Sequence, residues 1–197
     1  MGTPNVIARE PLDILEEALR AGVTMFQLRE KGNNALTGVA YEQFARDCQT
    51  LCKQYGVPFI VNDDVDLAIK LLADGVHIGQ DDGAVAQVKK KIGHMLLGVS
   101  VHTREEVAEA VACGADYVGI GPIFPTKSKA DAQTPAGIAF LQQVVKACPH
   151  LPIVAIGGIT EGNAYLPLTA GADGVAVIST ICESSHIDET VKSLKCK

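Results

Sequence analysis

The 197-residue chain has a formal net charge of −6, with 20% charged and 47% hydrophobic residues. That balance excludes a disordered chain. Its one basic run, Lys89-Lys90-Lys91, reads as a solvated helix end and leaves no footprint for nucleic acid. A chain of this length buries roughly 70% of its unfolded surface as one domain, so residues 1–197 are expected to form a single unit. The six cysteines contain no C-x-x-C pair and no zinc-like spacing, and read as small apolar side chains in a reducing cytosol. No signal-like segment and no membrane-length apolar run is visible, so a cytoplasmic protein with no membrane partner is expected.

In chain order, Leu12, Leu15, Ala18 and Leu19 recur at helical spacing between Pro11 and Gly22. Thr24 to Leu28 reads as a strand, and Phe44, Cys48, Leu51 and Tyr55 mark a second helix. A second strand, Val57 to Val61, runs into Asn62-Asp63-Asp64, and a third helix covers Val65 to Leu72. Then come a helix over Val85 to Ile92, a strand Leu96 to Ser100, and a helix Glu105 to Cys113 with Val107, Ala110 and Val111 inward. Ile138 to Ala147 reads as a helix and Ile153 to Ile156 as a strand. A helix near Asn163 to Thr169 contains Pro167, which predicts a late start or a kink, since an interior proline can cost ~3 kcal/mol. The strand Gly174 to Ile178 leads to Ser179 and a weakly patterned C-terminal helix.

One joint recurs. Ala73-Asp74-Gly75-Val76-His77-Ile78 resembles Ala115-Asp116-Tyr117-Val118-Gly119-Ile120 and Ala172-Asp173-Gly174-Val175-Ala176-Val177. The unequal intervals rule out a fixed-period solenoid and suggest repeated βα units. Seven strands, mostly apolar runs, fit a parallel sheet buried on both faces. The expected fold is a (β/α)8 TIM barrel whose first strand is largely missing from the chain, Met1-Gly2 being its last residues. An open doubly wound sheet is the rival. The barrel is preferred because polar residues end nearly every strand. A barrel short of a strand exposes two edges, which favours pairing with another chain, so a homo-oligomer is also expected.

Between Gly119 and Lys129, two prolines stiffen a loop that carries Thr126, Lys127, Ser128 and Lys129, two hydroxyls among two cations suited to a phosphate ester. The strand ends also gather Gln27, Arg29 and Lys31; Asn62 and Asp63; Gln80, Asp81 and Asp82; and Ser100 and His102. A divalent ion bridging Asp63 and Asp82 to a diphosphate, with Arg29 and Lys31 on its other oxygens, accounts for cations and carboxylates at one mouth. Taken singly, Asp63, Asp64, Asp81 and Asp82 read better as helix caps, and it is the recurrence of polar groups at the same end of successive strands that favours a site. His77 lies within a strand and reads as a core histidine, whereas His102, just past a strand end, could do acid or base work. Gly157-Gly158 and Ile178-Ser179 come after the segments expected as strands seven and eight and would form a second anion site from backbone N–H groups.

The ordered segments QLREKG, VNDD, GVHIGQDD, GVSVHT, GADYVGIGPIFPTKSK, IVAIGGIT and AGADGVAVIS resemble the successive motifs of the thiamine phosphate synthase family, from Met1 to Ser179. The resemblance implies a Mg2+-dependent transferase. It would join 4-amino-5-hydroxymethyl-2-methylpyrimidine diphosphate to 4-methyl-5-(2-hydroxyethyl)thiazole phosphate, two small phosphorylated substrates, and release pyrophosphate. It further implies that Gln27, Leu28, Arg29, Glu30, Lys31, Asn62, Ser100 and Lys129 bind the pyrimidine diphosphate, with Arg29, Lys31, Ser100 and Lys129 catalytic. Asp63 and Asp82 would hold the metal, and Thr126, Lys127, Ser128, Gly158, Ile178 and Ser179 the thiazole phosphate. Lys127 stands where the family varies, so only its backbone carries over. Two rivals remain: a related thiazole tautomerase using His102, and a non-catalytic barrel that binds phosphate esters.

Overall fold

The computed structural model describes residues 1–126 and 135–195; Lys127, Ser128 and Lys129 lie outside them. Seven parallel strands, β1 (Phe26–Leu28), β2 (Phe59–Asn62), β3 (Gly75–Ile78), β4 (Leu96–Val101), β5 (Tyr117–Ile120), β6 (Ile153–Ile156) and β7 (Gly174–Ala176), pair in strict sequence order. A doubly wound sheet reverses its strand order at a switch point, and this one does not. The open rival is thereby removed. Helical crossovers supply each parallel return: α1 (Pro11–Arg20) before β1, α2 (Gly38–Gln54), α3 (Val65–Leu71), α4 (Val85–Ile92), α5 (Arg104–Ala112), α6 (Gly137–Ala147) and α7 (Tyr165–Thr169) between the strands. Two helices, α8 (Ser179–Cys182) and α9 (Ile187–Lys195), replace the single C-terminal helix expected.

The differences have local causes. The first turns of α2 are exposed apart from half-buried Tyr41, so no apolar stripe announces that helix before Phe44. Helix α7 starts late enough to place Pro167 in its first turn, where no intrahelical donor is needed. Val107 and Ala110 are buried on α5, but Val111 is exposed at the margin of the stripe. Helix α9 buries Ile187, Val191 and Leu194, and packs Ile187 and Val191 with Ile14 and Ala18 of α1.

The recurring joint has one structural job. In each copy the aspartate closes a two-bond clamp on the first or second residue of the preceding strand. Asp74 Oδ2 accepts the Phe59 N–H at 2.8 Å while the Asp74 N–H reaches Phe59 O at 3.1 Å. Asp116 does the same with Leu97, at 2.8 Å both ways, and Asp173 with Ile153 at 2.8 and 2.9 Å. Each clamp satisfies a strand-end donor that no neighbouring carbonyl reaches, and so sets the register of the next strand. Asp173→Ala is expected to cost about 1.5–3 kcal/mol in urea unfolding, the worth of a hydrogen bond to a charged acceptor; an unchanged midpoint would show the clamp to be idle.

At the first edge, the Met1 amino group donates to Gln27 O at 2.8 Å and the Arg29 N–H donates to Met1 O at 3.0 Å. Those two bonds are the parallel-bridge pattern between Met1 and Leu28. Glu30 anchors the adjoining segments by accepting from the Thr3 N–H at 2.7 Å and the Leu36 N–H at 2.8 Å. No helix among the described residues is long and apolar enough to cross a membrane.

Candidate active site

A cavity of about 350 Å³ opens where the strands end. Its wall includes Arg29 and Lys31 after β1, Asn62 and Asp63 at the end of β2, Asp81 and Asp82 after β3, and Ser100 and His102 from the end of β4. Across the mouth stand Thr126, Gly158, Ile178 and Ser179. Residues from the ends of all seven strands thus meet in one chamber because the strands point the same way.

Not every residue of the Gln27–Lys31 stretch reaches it. Leu28 is fully buried in the apolar core, and Glu30 is spent on the N-terminal segment. Gln27 lies beside Tyr117 and is not part of the cavity wall. Strand alternation carries the signal for the first of these: successive side chains point to opposite faces, so Gln27 and Leu28 cannot share one.

The two neighbouring aspartates at 63 and 64 divide the work. Asp64 is the cap of α3, its Oδ1 accepting the Leu67 N–H at 2.9 Å. Asp63 takes a left-handed backbone, with φ 65°, a conformation rare outside glycine and tolerated best by Asp and Asn. Its N–H is held by His77 O at 2.8 Å, and its carboxylate is paired with the Lys31 ammonium. Asp82 caps no helix: its Oδ2 accepts the Gly79 N–H at 2.8 Å and its Oδ1 stands 3.9 Å from Lys31 Nζ.

Asp63 and Asp82 lie close enough to perturb each other, with the Lys31 ammonium beside both. Burial raises the Asp63 carboxyl above its ordinary range, and Asp82 adds to this against the opposing pull of Lys31. Burial acts on Asp82 in the same direction, but neighbouring Asp63, the Gly79 N–H and Lys31 outweigh it and bring Asp82 below its ordinary value. Two hard oxygen donors forced together in a polar chamber suit a divalent cation. No cluster of three or more His, Cys, Asp or Glu ligands occurs among the described residues, so a cation here would need oxygens from its guest.

Below the chamber lies a polar rung on which the sequence reading placed only His77. The buried His77 ring meets Tyr117 Oη at 3.1 Å through Nδ1 and Ser100 Oγ at 2.9 Å through Nε2. Ser100 is also braced at its carbonyl by Gln80 Nε2 at 2.6 Å. Room for both rings comes from Gly98, where a Cβ would lie 2.2 Å from the Tyr117 ring and 2.4 Å from His77 Nδ1. Tyr117, inside the recurring joint, was missed because it reads there as one more apolar strand residue.

On the far wall, Gly157 and Gly158 have φ 94° and 66° and lie against the stem of the loop after β5. A Cβ on Gly158 would stand 2.6 Å from Pro125 O, and one on Gly157 would stand 2.5 Å from Pro122 Cβ. The stem is tied down by Ile123 N–H to Ile156 O at 2.8 Å and by Phe124 N–H to Gly157 O at 3.0 Å. Of the loop's four polar residues, Thr126 is the one that the described structure sets on the chamber wall.

Comparison with known proteins agrees with this architecture. The family model described as thiamine monophosphate synthase matches residues 3–181. A thiamine-phosphate synthase of Lysinibacillus sphaericus is 65% identical over 195 residues, spanning 99% of this chain and 92% of that protein. One of Anoxybacillus flavithermus is 52% identical over 186 residues, spanning 94% and 86%. The solved thiamine phosphate pyrophosphorylase of Pyrococcus furiosus superposes with a TM-score of 0.85 at 34% identity, over 95% of this chain and 88% of that one. With a family match across most of its length, and near full-length relatives well above the identity that fold alone produces, this chain belongs to the thiamine monophosphate synthase family.

Proposed function

We propose that the chain is a transferase that condenses 4-amino-5-hydroxymethyl-2-methylpyrimidine diphosphate with 4-methyl-5-(2-hydroxyethyl)thiazole phosphate, giving thiamine phosphate and pyrophosphate. The observation that carries this reading is the convergence of Lys31 on both Asp63 and Asp82 in a chamber that Arg29 also lines. Such a cluster serves a guest rich in anionic oxygen accompanied by a cation. Family membership supplies the identity of the two substrates.

Asp63 and Asp82 would hold Mg2+, two carboxylates that converge on one ammonium at the mouth of the chamber. When bound, the ion neutralises charge on the diphosphate and makes it a better leaving group. Arg29 and Lys31, with Lys129 from the loop outside the described residues, bind the diphosphate oxygens as negative charge builds on them. Asn62 and Ser100 complete the pyrimidine diphosphate side of the wall. The CH2–O bond breaks with its electron pair going to diphosphate, the ring amino group feeds the resulting cation, and the thiazole nitrogen closes the new C–N bond. No enzyme nucleophile takes part, consistent with Cys48 and Cys52 lying buried in the core. Burial pushes the Cys52 thiol up to about 12 and the Cys48 thiol higher still.

On the opposite wall, Thr126, Gly158, Ile178 and Ser179, joined by Lys127 and Ser128, bind the thiazole phosphate through N–H and hydroxyl groups. Capturing a short-lived cation demands an acceptor already within about 3–3.5 Å, and two anion subsites facing each other across one chamber provide that placement. The sheet is read as part of a (β/α)8 barrel, a reading supported by the parallel-bridge bonds that Met1 makes with Gln27 and Arg29 beyond the edge of β1. Residues 1–197 work as one catalytic domain in the cytoplasm.

The test is direct. Protein mixed with Mg2+ and both substrates should release pyrophosphate in step with thiamine phosphate, and omission of either substrate should abolish release. A tautomerase or a passive binder would release none.

A further inference from the structure

We propose that His102 is a positioning residue that holds the stem of the loop after β5, and through it Thr126, against the thiazole phosphate side of the chamber. The reading rests on the function proposed above for that wall. His102 Nδ1 lies 2.7 Å from Gly121 O, and a carbonyl can only accept, so Nδ1 is the donor. The ring is firmly mounted. Its own backbone N–H is held by Glu106, which also accepts from the Thr103 N–H, while Thr103 Oγ1 accepts the Glu106 N–H at 3.2 Å, closing a capping box at the start of α5.

The stem that the ring holds is otherwise supported from one side. The Ile123 and Phe124 N–H groups bind carbonyls at the end of β6, and Pro122 O accepts from Ala136 N–H at 2.8 Å. The Gly121 carbonyl turns the other way, toward β4, where the His102 ring receives it. Gly121 also has no slack on the β6 side, since even a Cβ there would lie 2.3 Å from Ile156 O. The stem Gly121–Phe124 is thus clasped between a side chain of the β4 loop and the backbone of the β6 loop. Thr126 lies two residues beyond. Release of one side lets the stem swing and moves the Thr126 hydroxyl off the phosphate.

The two nitrogens can be separated by substitution. An asparagine amide reaches about the position of Nδ1 and can still donate to Gly121 O, whereas a glutamine amide reaches the position of Nε2. Positioning through Nδ1 predicts that His102→Asn keeps KM for the thiazole phosphate within about threefold of wild type, while His102→Gln and His102→Ala raise it about tenfold, the scale of one hydrogen bond. KM for the pyrimidine diphosphate should stay unchanged in all three. The reverse pattern, with His102→Gln active and His102→Asn impaired in kcat, would assign the work to Nε2 and overturn the proposal.

A second readout needs no turnover. Amide exchange of Ile123 and Phe124 should quicken in His102→Ala and His102→Gln but not in His102→Asn. Equal protection in all four proteins would also overturn the proposal. Should wild type release no pyrophosphate, the reading of the chamber fails, while the exchange comparison still decides the role of His102.

Discussion

Asp63→Asn is expected to lower pyrophosphate release by about 10²-fold or more, the scale of removing one charge-stabilising contact, while leaving the fold intact. The separation of the two effects comes from the backbone. At φ 65° most side chains are strained, but asparagine is tolerated there, so this substitution avoids the penalty that Asp63→Ala would add. Charge points the same way. Burial and Asp82 already disfavour the ionised form of Asp63, so a neutral isostere relieves the free chain of an unfavourable carboxylate. Unfolding free energy should therefore stay within about 1 kcal/mol of wild type. Raising Mg2+ should recover part of the lost rate if Asp82 still offers a ligand. Full activity in Asp63→Asn at low Mg2+ would remove Asp63 from the metal site.

Gly98→Ala is expected to have the largest effect on stability. The added methyl would sit 2.2 Å from the Tyr117 ring and 2.4 Å from His77 Nδ1, far inside van der Waals contact. Neither ring can step aside easily, because His77 is bonded at both nitrogens, to Tyr117 and to Ser100. Overpacking a filled interior costs about 3 kcal/mol at the upper end of the usual range, and the rung here is polar as well as full. For a chain of this length that lowers Tm by roughly 6–12 °C. Gly174→Ala is the matched control, a strand glycine with nothing within 4 Å of the added Cβ. It should leave Tm nearly unchanged. Because Ser100 is the upper end of the rung, Gly98→Ala should also depress turnover in whatever fraction stays folded. Equal melting of the two variants would mean that the His77–Tyr117 layer has slack to give.

The order of strands and helices is legible in the sequence because each strand is a short apolar run, each main helix shows a stripe, and a turn or polar cluster separates them. Boundaries drift where the stripe is absent, as in the exposed first turns of α2. The chamber was legible in part. Arg29, Lys31, Asn62, Asp63, Asp82 and Ser100 all end parallel strands, and parallel strands deliver their ends to one face. Leu28 shows the limit of reading a motif as a block: within Gln27–Lys31 the pleat sends neighbours to opposite sides. Asp63 and Asp64 show another limit, since either could cap α3 and only the left-handed turn at Asp63 decides which does.

The sequence by itself determined the winding. Seven apolar strand segments, separated by helices too long for hairpins, leave a parallel sheet as the way to pair them. The thrice-repeated aspartate joint supplies a register clamp onto the strand before it. The identity of the charged groups at the strand ends is likewise written in local order. Only the tertiary structure decided which of those groups face one another: Lys31 between two aspartates, His77 between Tyr117 and Ser100, His102 against Gly121. These pairings join residues about 20 to 50 positions apart, and whether two such side chains meet depends on strand register, on the glycines that clear space for them, and on backbone angles at single residues. Distances of a few ångströms between remote positions are set by the packed sheet as a whole, and no window of sequence contains them.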